Sequence, residues 1–479
     1  MLSTNLPELI DLEVQQTGRA TREMAAQLPS LVKWFKYFAA LIRTEERAVL
    51  PTTGQLHNWI DRKPLGVVAQ ITPFNHPLLI LVKKLAPALA AGNSVIVKPS
   101  ELTPITTIWL GKTLKEAGLP DGVFSVLPGY GASTGKALVS HPLIKKVDVT
   151  GGTPSGRAIG AIAGANLAHF TAELGGKAPV IVTKHANIDR AVNGVCFGAF
   201  IASGQTCVAA TRIIVERSIL LEFQEKLTAK TKSIERRIGS PTNPASMMGP
   251  LISAKQLHNV QTLVEDAIDR GVIVETGGQR MSGASPLDGF DFSQGYFYPP
   301  TILTDSTTVS VVDARIWKEE AFGPVIVVVG FDDETDALEL ANDSEFGLGA
   351  ALWTSDLSQA HRMSDGIEAG ICWGESSLGR PTPAPVLTLH VTVNTHHRND
   401  PSSPWGGIHN SGVGSENGIG EFPTLLQTAL RSCSLADIIV DAYRAYTSTK
   451  STIMNYASDE HSLASDDWFG EAAGTVRYG

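Results

Sequence analysis

At 479 residues, of which 43% are hydrophobic and 18% charged, the chain can bury a large core, and a net charge of −9 argues against a nucleic-acid surface. The four cysteines, Cys196, Cys207, Cys372 and Cys433, lie far apart with neither CxxC spacing nor a nearby histidine pair, so no zinc-type metal site is expected and a reducing, cytoplasmic setting fits.

The first residues carry no basic segment followed by an apolar core, and no run of 18 apolar residues occurs, so neither a leader nor a membrane span is expected. Residues 5–47 read as helical, with Leu31, Val32, Trp34, Phe35, Phe38, Leu41 and Ile42 recurring at threes and fours. The segment 51–64 breaks that period and suits an extended excursion. From Leu65 short apolar runs alternate with helical periods: strands at 66–71, 94–98, 124–127 and 146–150, helices at 76–91, 103–117 and 134–140, and a helix from Pro154. Asn75 stands where a helix cap is wanted, with Pro77 in the first turn and Gly92-Asn93 at the stop. Such alternation implies parallel βαβ units and a doubly wound α/β sheet, whose ligands bind at the carboxyl ends of the strands. Asn75, Lys98 and Gly151 each fall just past the end of an expected strand. A second α/β block follows Gly176, with strands at 180–182, 211–216, 272–275, 325–329 and 371–373 and helices at 188–200, 219–234 and 259–270; the cleft between the blocks is the expected active site.

Cys207 lies in the stretch Ile201-Ala-Ser-Gly-Gln-Thr-Cys207, a small glycine-containing turn between helix and strand, and is the candidate nucleophile. Cys196 and Cys372 sit in apolar segments and read as core. A thiolate that attacks a carbonyl needs something to hold the oxyanion and something to deliver water. Pro73-Phe74-Asn75-His76-Pro77 and Glu173-Leu174-Gly175-Gly176-Lys177 offer these, with Glu173 as general base. Lys98 and Glu101 are spaced to bracket a ribose, and a carboxylate there would repel a 2′-phosphate, which favours NAD over NADP. Gly151, Gly152 and Gly156 open a helix after a strand, where exposed N–H groups suit a pyrophosphate. Gly129 to Gly135 imitates a dinucleotide fingerprint with the wrong spacing and reads as a structural loop.

Six motifs in order, Pro73-Phe74-Asn75, Lys98-Pro-Ser-Glu101, Gly151-Gly-Thr-Pro-Ser-Gly156, Glu173-Leu-Gly-Gly-Lys177, Gly204-Gln-Thr-Cys207 and Glu319-Glu320-Ala-Phe322-Gly-Pro324, resemble the aldehyde dehydrogenase superfamily. The resemblance runs from about Thr17 to Trp373, resumes at 393–418 and returns at 442–456. It implies a doubly wound cofactor domain (1–47 and 65–174), an α/β catalytic domain (175–419) and a small oligomerisation sheet (48–64 and 442–456) that builds a homodimer or homotetramer, with a tail at 457–479. It further implies that the Asn75 amide joins the Cys207 N–H in an oxyanion hole, and that Glu320 holds the nicotinamide ribose while Phe322 packs by the nicotinamide. The reaction so implied is NAD-dependent oxidation of an aldehyde to an acid: Cys207 adds, hydride leaves, and Glu173 directs water onto the thioester. A coenzyme A-acylating enzyme would not need that base. Phe74, Phe200 and Trp405 point to an aromatic or other apolar aldehyde.

Two stretches depart from the family pattern, 374–392 and 420–441. Both begin Gly-Glu, which GGT-GAG codons would encode with an intron-like start, and excision would restore Trp-Val-Asn at the first. They read as translated introns, and only 63 residues precede Pro64, fewer than the family has. A catalytically impaired protein of the same fold is therefore the alternative expectation.

Overall fold

The computed structural model describes residues 1–52, 56–373, 400–417 and 445–455; the two atypical stretches, the tail and Cys433 lie outside the described residues. Two parallel sheets dominate. The first has six strands in the spatial order Gly412–Val413, His169–Glu173, Ile144–Thr150, Val67–Ile71, Ser94–Lys98 and Phe124–Val126. All its pairs are parallel except that Gly412–Val413 runs antiparallel to His169–Glu173. The chain starts at the central strand Val67–Ile71, adds two strands on one side and then three on the other, so the order reverses beside that strand, where doubly wound sheets open a ligand crevice.

The second sheet has seven strands in the order Ile273–Thr276, Thr301–Thr304, Val325–Phe331, Ala210–Glu216, Ala178–Val182, Gly349–Trp353 and Ile371–Trp373, parallel but for the first. Its strands are apolar runs because both faces are covered: Ile181, Ile214 and Val327 feed one core, while Val180, Val182, Ile213, Val215, Ile326 and Val328 feed the other. The first sheet is different. On one face of its middle strands Gln70, Lys146, Asp148, Thr150, Thr171 and Glu173 are polar and buried, and the register sets Gln70 beside Asp148, Asp148 beside Thr171, and Thr150 beside Glu173.

A third, antiparallel sheet joins Ala48–Leu50, Leu56–Pro64 and Thr447–Asn455, the last pairing along the full length of the second. The expected extended excursion is thus a strand. The single helical reading of 5–47 needs correction: the segment breaks into helices Leu6–Thr17, Thr21–Gln27 and Val32–Leu41, because Gly18 takes the left-handed conformation (φ 73°) that ends the first, and a 3-10 turn containing Pro29 precedes the last. The sequence reading passed over the strands His169–Glu173, Thr301–Thr304 and Gly349–Trp353. No helix among the described residues is long and apolar enough to cross a membrane.

Candidate active site

The chain leaves the first sheet at the carboxyl end of His169–Glu173 and enters the second at the amino end of Ala178–Val182. Carboxyl ends of one sheet therefore face amino ends of the other. Asn75 and Gly151 follow strands of the first sheet and Lys98 and Glu173 end theirs, whereas Cys207 and the 320–322 segment precede the strands Ala210–Glu216 and Val325–Phe331 of the second.

The Cys207 turn is held in an unusual backbone. Ala202, Ser203 and Gly204 have successive φ values of 51°, 56° and 69°, a left-handed run that L-residues enter only when neighbours enforce it. The neighbours are visible. Glu23 Oε1 accepts the Ala202 N–H at 3.1 Å, Ser203 Oγ donates to the Gly249 carbonyl at 2.7 Å, and Gln205 Oε1 accepts the Ile252 N–H at 3.0 Å. A Cβ on Gly204 would overlap the Gly323 carbonyl, and one on Gly176 would overlap the carbonyl of Cys207 itself. Gly176 thus admits the Cys207 backbone.

Asn75 is buried, and its Nδ2 donates to the Gln205 carbonyl at 2.8 Å, two residues before Cys207. It does not cap the following helix: His76 holds the cap position of Pro77–Ala90 without a side-chain bond, and Asn75 Oδ1 has no partner. The amide is turned instead toward the Cys207 loop. Arg19 supports this corner, with Nη1 2.7 Å from His76 Nδ1 and Nε 3.0 Å from Glu23.

Glu173 is 2% exposed and neither carboxylate oxygen has a hydrogen-bond partner. Burial first, then the charge of Glu416, pushes its pKa well up, against the pull of Lys83 and Lys84. Burial, Glu320 and Glu173 together push the Cys207 thiol up to about 12, and Lys83 opposes them. Behind Glu173 lies a buried ionic cluster. Lys84 bonds both Asp148 and Glu416, Lys83 Nζ lies 3.3 Å from Glu416 Oε2, and the Tyr446 hydroxyl donates to Asp148. Although burial works against the charge, Lys84 and Lys83 hold the Glu416 carboxyl below its usual range.

On the other edge, Lys98 Nζ is 3.1 Å from Glu101 Oε2, and that half-exposed carboxyl is held low by a backbone N–H and Lys98 despite partial burial. Gly152 precedes the helix Thr153–Ala165, and Gly156 within it lies flush against Leu174, where a Cβ would overlap the leucine. Gly151 and Gly152 are unobstructed. Glu320 Oε1 accepts the Gly176 N–H at 3.0 Å; burial raises its pKa to about 7, and Gly176 and Lys177 restrain the rise. Phe322 (φ 49°) meets Phe74 edge-on at 5.7 Å. Within Gly129 to Gly135, the segment Gly131–Gly135 is a turn of π-helix, and a Cβ on Gly135 would lie 4.0 Å from Lys98 Cδ. Cys196 and Cys372 are buried. Phe200 is consumed by the core, while Trp405 packs on Trp373 at 5.8 Å.

Residues 1–387 match the family described as the aldehyde dehydrogenase family. The chain belongs to the aldehyde dehydrogenase family. Relatives among characterised proteins include the betaine aldehyde dehydrogenases of Brucella anthropi and Brucella melitensis biotype 2, each 39% identical over 413 residues, which is 86% of this chain and 78% of the relative. Among solved structures, PnpE from Pseudomonas sp. WBC-3 is 35% identical with a TM-score of 0.82, covering 96% of this chain and 83% of that one. A betaine aldehyde dehydrogenase from Staphylococcus aureus, solved with NAD+, is 30% identical with a TM-score of 0.82, covering 96% and 81%.

This aldehyde dehydrogenase places behind Glu173 several residues that sequence reasoning missed: Lys83, Lys84, Asp148, Glu416 and, bonded to Asp148, Tyr446. A signal existed for some. Lys83-Lys84 are adjacent charges inside an otherwise apolar helix, and Lys146 and Asp148 alternate along an apolar strand. Glu416 and Tyr446 carried none, because only tertiary packing brings them to the cluster.

Proposed function

We propose that the protein oxidises an aldehyde to its carboxylic acid through a thiohemiacetal and then a thioester on Cys207, with NAD as acceptor. The observation that carries this reading is Glu173, a buried carboxyl with both oxygens unpartnered, acting electrostatically on the Cys207 thiol. Such a group has no structural duty to fulfil, and it can take the proton of a water that attacks the thioester. Its presence favours hydrolysis over transfer of the acyl group to another thiol. The Asn75 amide stabilises the oxyanion of both tetrahedral species.

NAD, when bound, supplies the two-electron acceptor. The residues fit it: Lys98 and Glu101 for the ribose hydroxyls, the N–H groups after Gly152 for the pyrophosphate, and Glu320 with Phe322 for the nicotinamide end. The ionised Glu101 disfavours a 2′-phosphate, so NADP is the poorer acceptor. The substrate is a small aldehyde with an apolar or aromatic body lying against Trp373 and Trp405. The three-stranded sheet, which exposes Val49, Leu50, Leu56 and Met454, is where copies of this chain would join as a homodimer or homotetramer.

Appearance of NADH with a panel of aldehydes tests the reading. Cys207→Ala abolishes the oxidation and leaves NAD binding nearly intact, because the thiol reacts but does not hold the cofactor. Turnover by the variant equal to the parent's removes Cys207 from its role. Among the described residues no contact at the site favours an impaired protein, and the same assay decides it.

A further inference from the structure

The helix Pro77–Ala90 is buried nearly throughout, yet it carries Lys83 and Lys84 at 3% and 1% exposure. Adjacent helical positions point about 100° apart, so the two ammonium groups serve different surroundings. Lys84 is answered by two carboxylates, Asp148 and Glu416. Lys83 has a weaker claim: one oxygen of that same Glu416 at 3.3 Å, and the face of Trp405, whose ring centroid is 4.1 Å from Nζ. A desolvated ammonium with three donors and only a shared carboxylate retains the capacity to bind another anion.

Its position gives that capacity a use. Trp405 rests on Trp373, whose ring lies flush on Gly349, where a Cβ would overlap it and would also touch Val208, the residue after Cys207. Cys207 packs on this same cluster, and Lys83 is the cation that acts on both Cys207 and Glu173. Of the three carboxyls that act on Cys207, Glu416 is engaged by Lys84 and by the Thr150 hydroxyl, Glu320 accepts the Gly176 N–H, and burial raises the pKa of Glu173.

We propose that Lys83 is a specificity-determining residue that selects aldehydes bearing a second, anionic group such as a carboxylate, and that it excludes aldehydes bearing a quaternary ammonium. The attraction is a charge-assisted hydrogen bond made in a water-poor site. The exclusion has two causes. Lys83 already occupies the indole face that would otherwise receive a ligand cation, and a second cation beside it is repelled with little screening. This inference rests on the aldehyde oxidation proposed above and adds the charge of the substrate to it.

The test uses the full chain with NAD and three aldehydes of similar length: a carboxylate-terminated semialdehyde, its neutral aliphatic counterpart, and betaine aldehyde. The parent prefers the carboxylate over the neutral aldehyde by about tenfold or more in kcat/KM, with betaine aldehyde poorest. Lys83→Gln collapses that ratio mainly through KM, and Lys83→Arg preserves it. A ratio unchanged by Lys83→Gln, or a parent that prefers betaine aldehyde, overturns the proposal. A second readout does not depend on turnover: the rates at which iodoacetate and iodoacetamide alkylate Cys207, located by peptide mass spectrometry. Lys83→Gln lowers the iodoacetate-to-iodoacetamide ratio several-fold, and an unaltered ratio also overturns the proposal. If the alkylation ratio shifts while no aldehyde is oxidised, the charge assignment stands and the oxidation reading is what fails.

Discussion

Glu173 illustrates what burial does to a single group in this protein. Its two oxygens lack partners, and burial raises its pKa above the unfolded value, so its stabilising contribution is complete at low pH. That contribution is lost as pH rises from the unfolded carboxyl range through the raised folded value. Glu173→Gln removes the titration while keeping the shape. The melting temperature of the variant, relative to the parent, therefore climbs between pH 5 and pH 9; a difference that stays flat across that range removes the burial argument. In turnover the same variant gives one equivalent of NADH and then stalls as an acyl-enzyme, since an amide cannot accept the water's proton. Absence of both burst and trapped acyl group would reassign Glu173 to a positional role.

The elements that matter most are the Cys207 turn and the Leu174–Lys177 connection facing it. Three left-handed residues in succession and the Gln205 that follows them are held by Glu23, Gly249 and Ile252, which come from two separate parts of the chain. Gly176 is required because its missing side chain is where the Cys207 carbonyl lies. Gly176→Ala must displace the Cys207 backbone, and a shift of that kind at the proposed nucleophile costs on the order of 10²-fold in kcat. NAD binding at Lys98 and Glu101 is spared, which equilibrium titration with NAD can show. Retained kcat would mean that the turn yields without cost. The glycines were legible as motif letters, but the contact that demands them was not, since it joins residues that no local pattern links.

At the scale of the whole molecule, the ionic cluster ties the return strand to the buried polar face of the first sheet. Tyr446 precedes Thr447–Asn455, lies 3% exposed, donates to Asp148 and accepts from Gln70 Nε2 at 3.2 Å, while Lys146 sits 4.9 Å above its ring. Tyr446→Phe leaves Asp148 and Gln70 each short of a bond in a buried setting. A loss of roughly 1–3 kcal/mol follows, read as a melting temperature lower by a few degrees. An unchanged melting temperature would show that the remaining bonds to Lys84 suffice.

Local physics determined much of this protein. Apolar runs alternating with helical periods specified parallel sheets covered on both faces, and turn chemistry set Asn75, Lys98 and Gly151 at strand ends. The family motifs singled out Cys207 and Glu173. Local physics also misled: Asn75 had the chemistry of a helix cap, but a hydrogen bond to the Gln205 carbonyl, 130 residues away, claimed its side chain. Only the tertiary structure decided that Cys207 approaches from the amino ends of the second sheet, and that Lys83, Asp148, Glu416 and Tyr446 share one buried cluster. Buried charges are tolerated where distant partners answer them, and a partner 332 residues away, as Glu416 is to Lys84, leaves no period or spacing in the chain to be read.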